Sequence, residues 1–164
     1  MNKNNIYPNF RNLLRKRPDA WAVLHGNELY PDIIGAVSFY DTYYGVLIVA
    51  ELNGLPKGDN YCQSPIFAFH IHEGNSCSGN ATDRFANVRS HYDPHNCPHP
   101  YHAGDMPPLF GASGKAFSAF LTDRFKVNEI IGKTIVIHAS TDDFTTQPAG
   151  NAGSKIACGE IIGN

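Results

Sequence analysis

The stretch Ile66-Phe67-Ala68-Phe69-His70-Ile71-His72-Glu73 alternates with a period of two. Successive side chains of a strand point to opposite faces, so Phe67, Phe69 and Ile71 share one face while His70 and His72 share the other. A strand here presents two imidazole donors side by side on a backbone that limits their wandering. Working outward, Ala20–His25, Ile33–Tyr40, Gly45–Leu52, Lys115–Thr122, Thr134–His138 and Lys155–Ile161 are further short runs rich in valine, isoleucine and aromatics. The residues Asp41–Tyr44, Asn53-Gly54 and Pro56–Gly58 supply the turn chemistry between them. Seven or eight short strands predict an all-β sandwich or barrel.

Two stretches break this rhythm. Gly74–Gly114 and Ala139–Ser154 lack periodicity and are loaded with His, Asp, Asn, Gly and Pro, so they read as long loops. Structureless loops beyond roughly 15 residues are uncommon in compact domains, and ligands are one way to order them.

The bulk numbers agree with one folded domain. The chain has 164 residues, 42% hydrophobic and 17% charged, enough to bury a core and unlike a disordered sequence. A formal net charge of −2 argues against a broad nucleic-acid footprint, which needs a concentrated basic face. No run approaches the roughly 20 apolar residues of a membrane helix, so no membrane partner is expected. Residues 1–19 read as a polar leader or a short helix around Phe10–Leu14, and 20–164 as the domain. Arg11, Arg15, Lys16 and Arg17 are not followed by an apolar segment, so a secretory signal is not evident. The expectation is therefore a cytoplasmic chain, or an extracytoplasmic one whose signal has been removed. Cys62, Cys77, Cys97 and Cys158 include no C-x-x-C pair, which disfavours a zinc ribbon or a thioredoxin-type site and leaves disulfides or free thiols.

His70, His72, His91, His95, His99 and His102 crowd into 33 positions of the eight-histidine chain. A lone strand histidine is ordinarily packed or solvated, and a histidine-rich loop can be merely polar. The paired strand imidazoles, followed by His91-Tyr92-Asp93-Pro94-His95-Asn96-Cys97-Pro98-His99-Pro100-Tyr101-His102-Ala103-Gly104-Asp105, favour a transition-metal site instead. A zinc site of three histidines and one carboxylate could be drawn from that loop.

Phe69-His70-Ile71-His72-Glu73, His91-Tyr92-Asp93-Pro94, His102-Ala103-Gly104-Asp105, Val136-Ile137-His138 and Gly150-Asn151-Ala152-Gly153-Ser154-Lys155-Ile156-Ala157-Cys158-Gly159 occur in an order that resembles the copper/zinc superoxide dismutase family, over approximately Ala20 to Ile162. The resemblance implies an eight-stranded Greek-key β-barrel, an immunoglobulin-like sandwich with two long functional loops. It implies copper held by His70, His72, His91 and His138, and zinc held by His91, His99, His102 and Asp105. His99 is preferred over His95 on its spacing from His91, with His95 as the alternative ligand or a solvated neighbour. Asp142 matches the family's carboxylate that joins a copper histidine to a zinc histidine, its plainer role being an exposed loop acid or a turn former. Cys77 and Cys158 match the family's intrachain disulfide, and Cys62 and Cys97 are left as a second pair.

The activity implied is conversion of superoxide to oxygen and hydrogen peroxide, with His91 exchanging a proton at the shared position. Lys155 stands where the family has an anion-guiding arginine, and Ala149 where relatives often have a threonine, so a lower rate than usual is expected. Lysine keeps the charge but lacks the planar fork that orients an anion. The competing readings are a copper or zinc storage protein on the same fold, and a disulfide-stapled interaction domain. Many relatives form dimers; a homodimer is one arrangement left open.

Overall fold

A computed structural model describes residues 10–58, 60 and 65–164. In chain order the strands are β1 (Ala20–Gly26), β2 (Ile34–Thr42), β3 (Gly45–Asn53), β4 (Ile66–Phe67), β5 (Phe69–His72), β6 (Leu109–Phe110), β7 (Ala116–Thr122), β8 (Thr134–His138), β9 (Lys155–Glu160) and β10 (Ile162–Gly163). Two single-turn helices accompany them, α1 (Phe10–Leu13) and α2 (Val127–Ile130). Among the described residues no helix is long and apolar enough to cross a membrane.

The main sheet is antiparallel and runs β5-β8-β9-β1-β2-β3-β7, with β10 added on β1. The neighbours β5/β8, β9/β1 and β3/β7 are not consecutive in sequence, which is the crossover pattern of a Greek key. A second pair, β4 with β6, lies between the two ends of that path, because β6 packs on β7 and β4 leads through one residue into β5. The sheet is thereby curled around its own core.

Alternation decides which side chains fill that core. Ala20, Ala22 and Leu24 of β1 are fully buried, as are Ile48 and Ala50 of β3, with Val46 and Leu52 nearly so. They meet Val37, Phe39, Phe69, Ile71, Ile135 and Ile137 in one cluster. Burying a side chain of that size contributes about 1.5–3 kcal/mol. On the outer face, Tyr40, Leu47 and Val49 are covered by Leu13 of α1, so the first described turn of chain shields part of the sheet. The β2–β3 hairpin turns over Tyr43-Tyr44, with Thr42 Oγ1 donating to Gly45 O at 2.7 Å. Gly45 has φ +123° and lies against the Thr122 carbonyl, where any Cβ would collide.

One strand expected from the sequence is divided. Residues 66–73 do not form a single element: β4 pairs with β6, β5 pairs with β8, and Ala68 separates them. Ala68 N donates to Ser140 O at 2.8 Å, and Ala68 O accepts from His138 N at 2.9 Å. The chain changes partners there because the residues after β8 take up its hydrogen-bonding groups. The loops expected over 74–114 and 139–154 are present, the first containing a 3-10 turn at Ala86–Val88 and β6. Lys115 falls outside β7, in a bridge with Ala112. Cys77 is joined to Cys158, which ties the first loop to β9. Cys62 lies outside the described residues, and Cys97 carries no disulfide among those described.

Candidate metal centre

Strand pairing assembles the site. His70 and His72 point from β5 away from the core, His138 comes from the end of β8, and the first long loop runs back along β5 through bridges His70–Asp105 and His72–His91. Two groups of potential ligands result. His70, His72, His91 and His138 form one, and His91, His99, His102 and Asp105 the other, with the ligand atoms of each within 4.8 Å of one another. All seven residues are buried, His70 completely. His91 belongs to both groups.

Hydrogen bonds leave one free nitrogen on each imidazole of the first group. His72 Nδ1 donates to Arg89 O at 2.8 Å and His138 Nδ1 to Gly153 O at 3.2 Å. Their Nε2 atoms then face each other at 3.3 Å as lone pairs. His70 uses Nε2 on Asp142 Oδ2 at 2.8 Å, leaving Nδ1 buried and without a partner. His91 places Nδ1 2.7 Å from Asp105 Oδ1, while its Nε2 is likewise buried and unpartnered. Buried polar atoms are nearly always satisfied in proteins, so orphaned nitrogens converging on one point fit the binding of a metal cation.

Electrostatics keeps His70, His72 and His138 neutral. Burial pushes His138 down to about 3, with the neighbouring His70 contributing. Burial, then His91 and His138, holds His72 well below an ordinary imidazole, and burial lowers His70 despite its bond to Asp142. A neutral imidazole is the form that offers a lone pair to a metal.

The second group has three nitrogens around one carboxylate. His99 Nδ1 lies 3.0 Å and His102 Nδ1 3.2 Å from Asp105 Oδ2. Burial opposes ionisation of Asp105, but its contacts with His91, His102 and His99 together outweigh that and lower its pKa. Three imidazoles and a carboxylate are the donors of a closed tetrahedral zinc site. Asp142 connects the groups, accepting from His70 through Oδ2 and from His99 Nε2 through Oδ1 at 2.9 Å. It is buried rather than exposed, it also accepts from Phe144 N in a local turn at 2.7 Å, and although burial opposes its ionisation, His70, Phe144 N and His99 hold its pKa far down. His95 is exposed and belongs to neither group.

Several contributors carry no signal that sequence reasoning used. Arg89 adopts φ 63° and thereby aims its carbonyl at His72. Gly150, at φ +64°, lies so close to Asp142 and His99 that a Cβ would strike both. Arg124 Nη1 sits 3.0–3.2 Å from the carbonyls of Pro100, His102 and Asp105, clamping the loop. Asp83 pairs with Lys155, so that lysine's charge is already countered. The Ala149 carbonyl accepts from Ala152 N at 3.4 Å within the second loop.

A family model described as copper/zinc superoxide dismutase matches residues 33–161. The chain is 36% identical over 139 residues to "Superoxide dismutase [Cu-Zn]" of Legionella pneumophila, covering 80% of this chain and 79% of that protein. It is 32% identical over 145 residues to "Superoxide dismutase [Cu-Zn] 2" of Aquifex aeolicus (strain VF5), covering 79% and 80%. Among solved structures, a double mutant of a SOD-like protein from Bacillus subtilis superposes with a TM-score of 0.70 at 28% identity, covering 87% of this chain and 97% of the other. With the family match spanning most of the fold and both ligand groups lying inside it, the chain belongs to the copper/zinc superoxide dismutase family.

Proposed function

We propose that this chain is a superoxide dismutase in which His70, His72, His91 and His138 hold copper and His91, His99, His102 and Asp105 hold zinc. The observation that carries the reading is His91, whose two ring nitrogens face different ligand groups within one buried cluster. Copper bound there supplies a one-electron couple, through which one superoxide loses an electron to become O2 while another gains it and two protons to become H2O2.

The residues of the chain do the rest. His72 and His138 are fixed as Nδ1–H tautomers by the carbonyls of Arg89 and Gly153, and His70 as the Nε2–H tautomer by Asp142. Of the two His91 ring nitrogens, Nε2 is the one able to take up a proton and release it without disturbing a hydrogen bond. Asp105 and Arg124 hold the loop that carries His99 and His102, so the second group serves as a rigid support. Lys155 places a cation within electrostatic reach of His138, on the side from which a small anion would be drawn.

His138 belongs to the first group alone, so it separates the two roles. Metal analysis and superoxide consumption are to be measured on the loaded chain and on His138→Ala. The substitution is expected to remove copper and turnover together while most zinc remains. Unchanged turnover would contradict the copper site, and a loaded wild-type chain that consumes superoxide no faster than buffer would point to storage.

A further inference from the structure

Lys155 and Asp83 form an ion pair across 72 residues, joining the start of β9 to the disulfide-bearing loop. The Lys155 side chain is only 19% exposed, whereas the Asp83 side chain is 42% exposed. They line a cavity of about 460 Å3 together with Gly153, whose carbonyl holds His138. Both charges act on His138. Burial opposes ionisation of Asp83, but the contact with Lys155, the Phe85 N–H and nearby His138 together outweigh it, so the carboxylate is charged across the neutral range. Arg84, also on this cavity, is countered by Glu28 at 3.0 Å. An anion approaching this cavity meets two ion pairs in place of two free cations.

Asp83 is well placed to be changed without breaking the loop. Its Oδ1 accepts from Phe85 N at 3.0 Å, which an amide oxygen can replace, while Oδ2 faces Lys155. We propose that Asp83 is a positioning residue that lowers the anion affinity of the copper group by holding and neutralising Lys155. The proposal rests on the copper reading above. It implies that part of the reduced rate expected of a lysine at this position originates in the partner carboxylate rather than in the lysine itself.

The test uses the full chain loaded with copper and zinc and titrated with azide, read from the Cu(II) absorption bands. Asp83→Asn is expected to tighten azide about threefold to tenfold at low ionic strength, the scale of one unit charge a few ångströms away in a wet site, and to lose that gain at high salt. Lys155→Met is expected to weaken azide. In a parallel arm on the metal-free chain, acylation of the Lys155 amine, read by mass spectrometry, should speed up several-fold in Asp83→Asn, because the carboxylate no longer ties the amine down. Azide affinity that stays flat or falls in Asp83→Asn, azide affinity indifferent to Lys155→Met, or an unchanged labelling rate would each overturn the proposal. Failure to take up copper would sink the reading of the centre instead, and the labelling arm, which needs no metal, would still decide whether Asp83 controls Lys155.

Discussion

Asp142 gives one carboxylate oxygen to His70 and the other to His99, so a single side chain fixes an imidazole in each ligand group. Asp142→Asn keeps the shape but turns one acceptor into a donor, which cannot meet a ring N–H. One ring must then rotate or change tautomer. We expect both copper and zinc to weaken by about 10–100-fold, the usual consequence of losing an outer hydrogen bond to a ligand. Chelator competition for each metal measures this, and a loss confined to one metal would show that Asp142 does not couple them. His138→Ala, by contrast, should strip one metal only. At this scale the sequence was informative about donors: the pairing of His70 with His72 is a direct product of strand periodicity. It was less informative about His95 and His99, four residues apart in one loop, because only the loop's path leaves one exposed and buries the other.

Among the elements, the loop from β5 to β6 has little regular structure and depends on ties to its neighbours. The disulfide to β9 is one tie, a cross-link of a kind that typically contributes about 2–4 kcal/mol. Arg124, between β7 and α2, is another, since its Nη1 meets three loop carbonyls, two of them on ligand residues. Arg124→Gln should therefore lower zinc affinity by roughly tenfold while copper changes less, since no copper-only ligand touches Arg124. It should also lower the melting temperature of the zinc-loaded chain, because carbonyls accustomed to a charged donor lose it. Equal zinc affinity in competition experiments would reduce Arg124 to a surface contact. The division of residues 66–73 at Ala68 belongs at this scale too. The alternation there was readable, but the switch of partners from β6 to β8 was not, since it depends on carbonyl and amide groups near residues 138–140.

For the molecule as a whole, the neutral imidazoles link metal chemistry to folding. An unfolded histidine takes a proton near pH 6.5, whereas folded, metal-free His138 resists until about 3, and His70 and His72 are shifted the same way. Between those limits the unfolded state binds more protons, so stability is intact above about pH 6.5 and declines as the pH falls toward about 3. Calorimetry of the metal-free chain should show a lower melting temperature at about pH 5 than at about pH 7.5, and a flat or opposite trend would contradict neutral burial of these rings. The sequence by itself determined the features that depend on near neighbours: strand periodicity, turn chemistry, and a histidine-rich segment with the right donors in family order. Tertiary structure decided which donors meet. His138 lies 66 residues from His72, Asp142 lies 72 from His70, and Asp83 lies 72 from Lys155, yet each pair is in direct contact. Such contacts are set by which strands pair and where the loops return, a property of the closed sheet that no local spacing encodes.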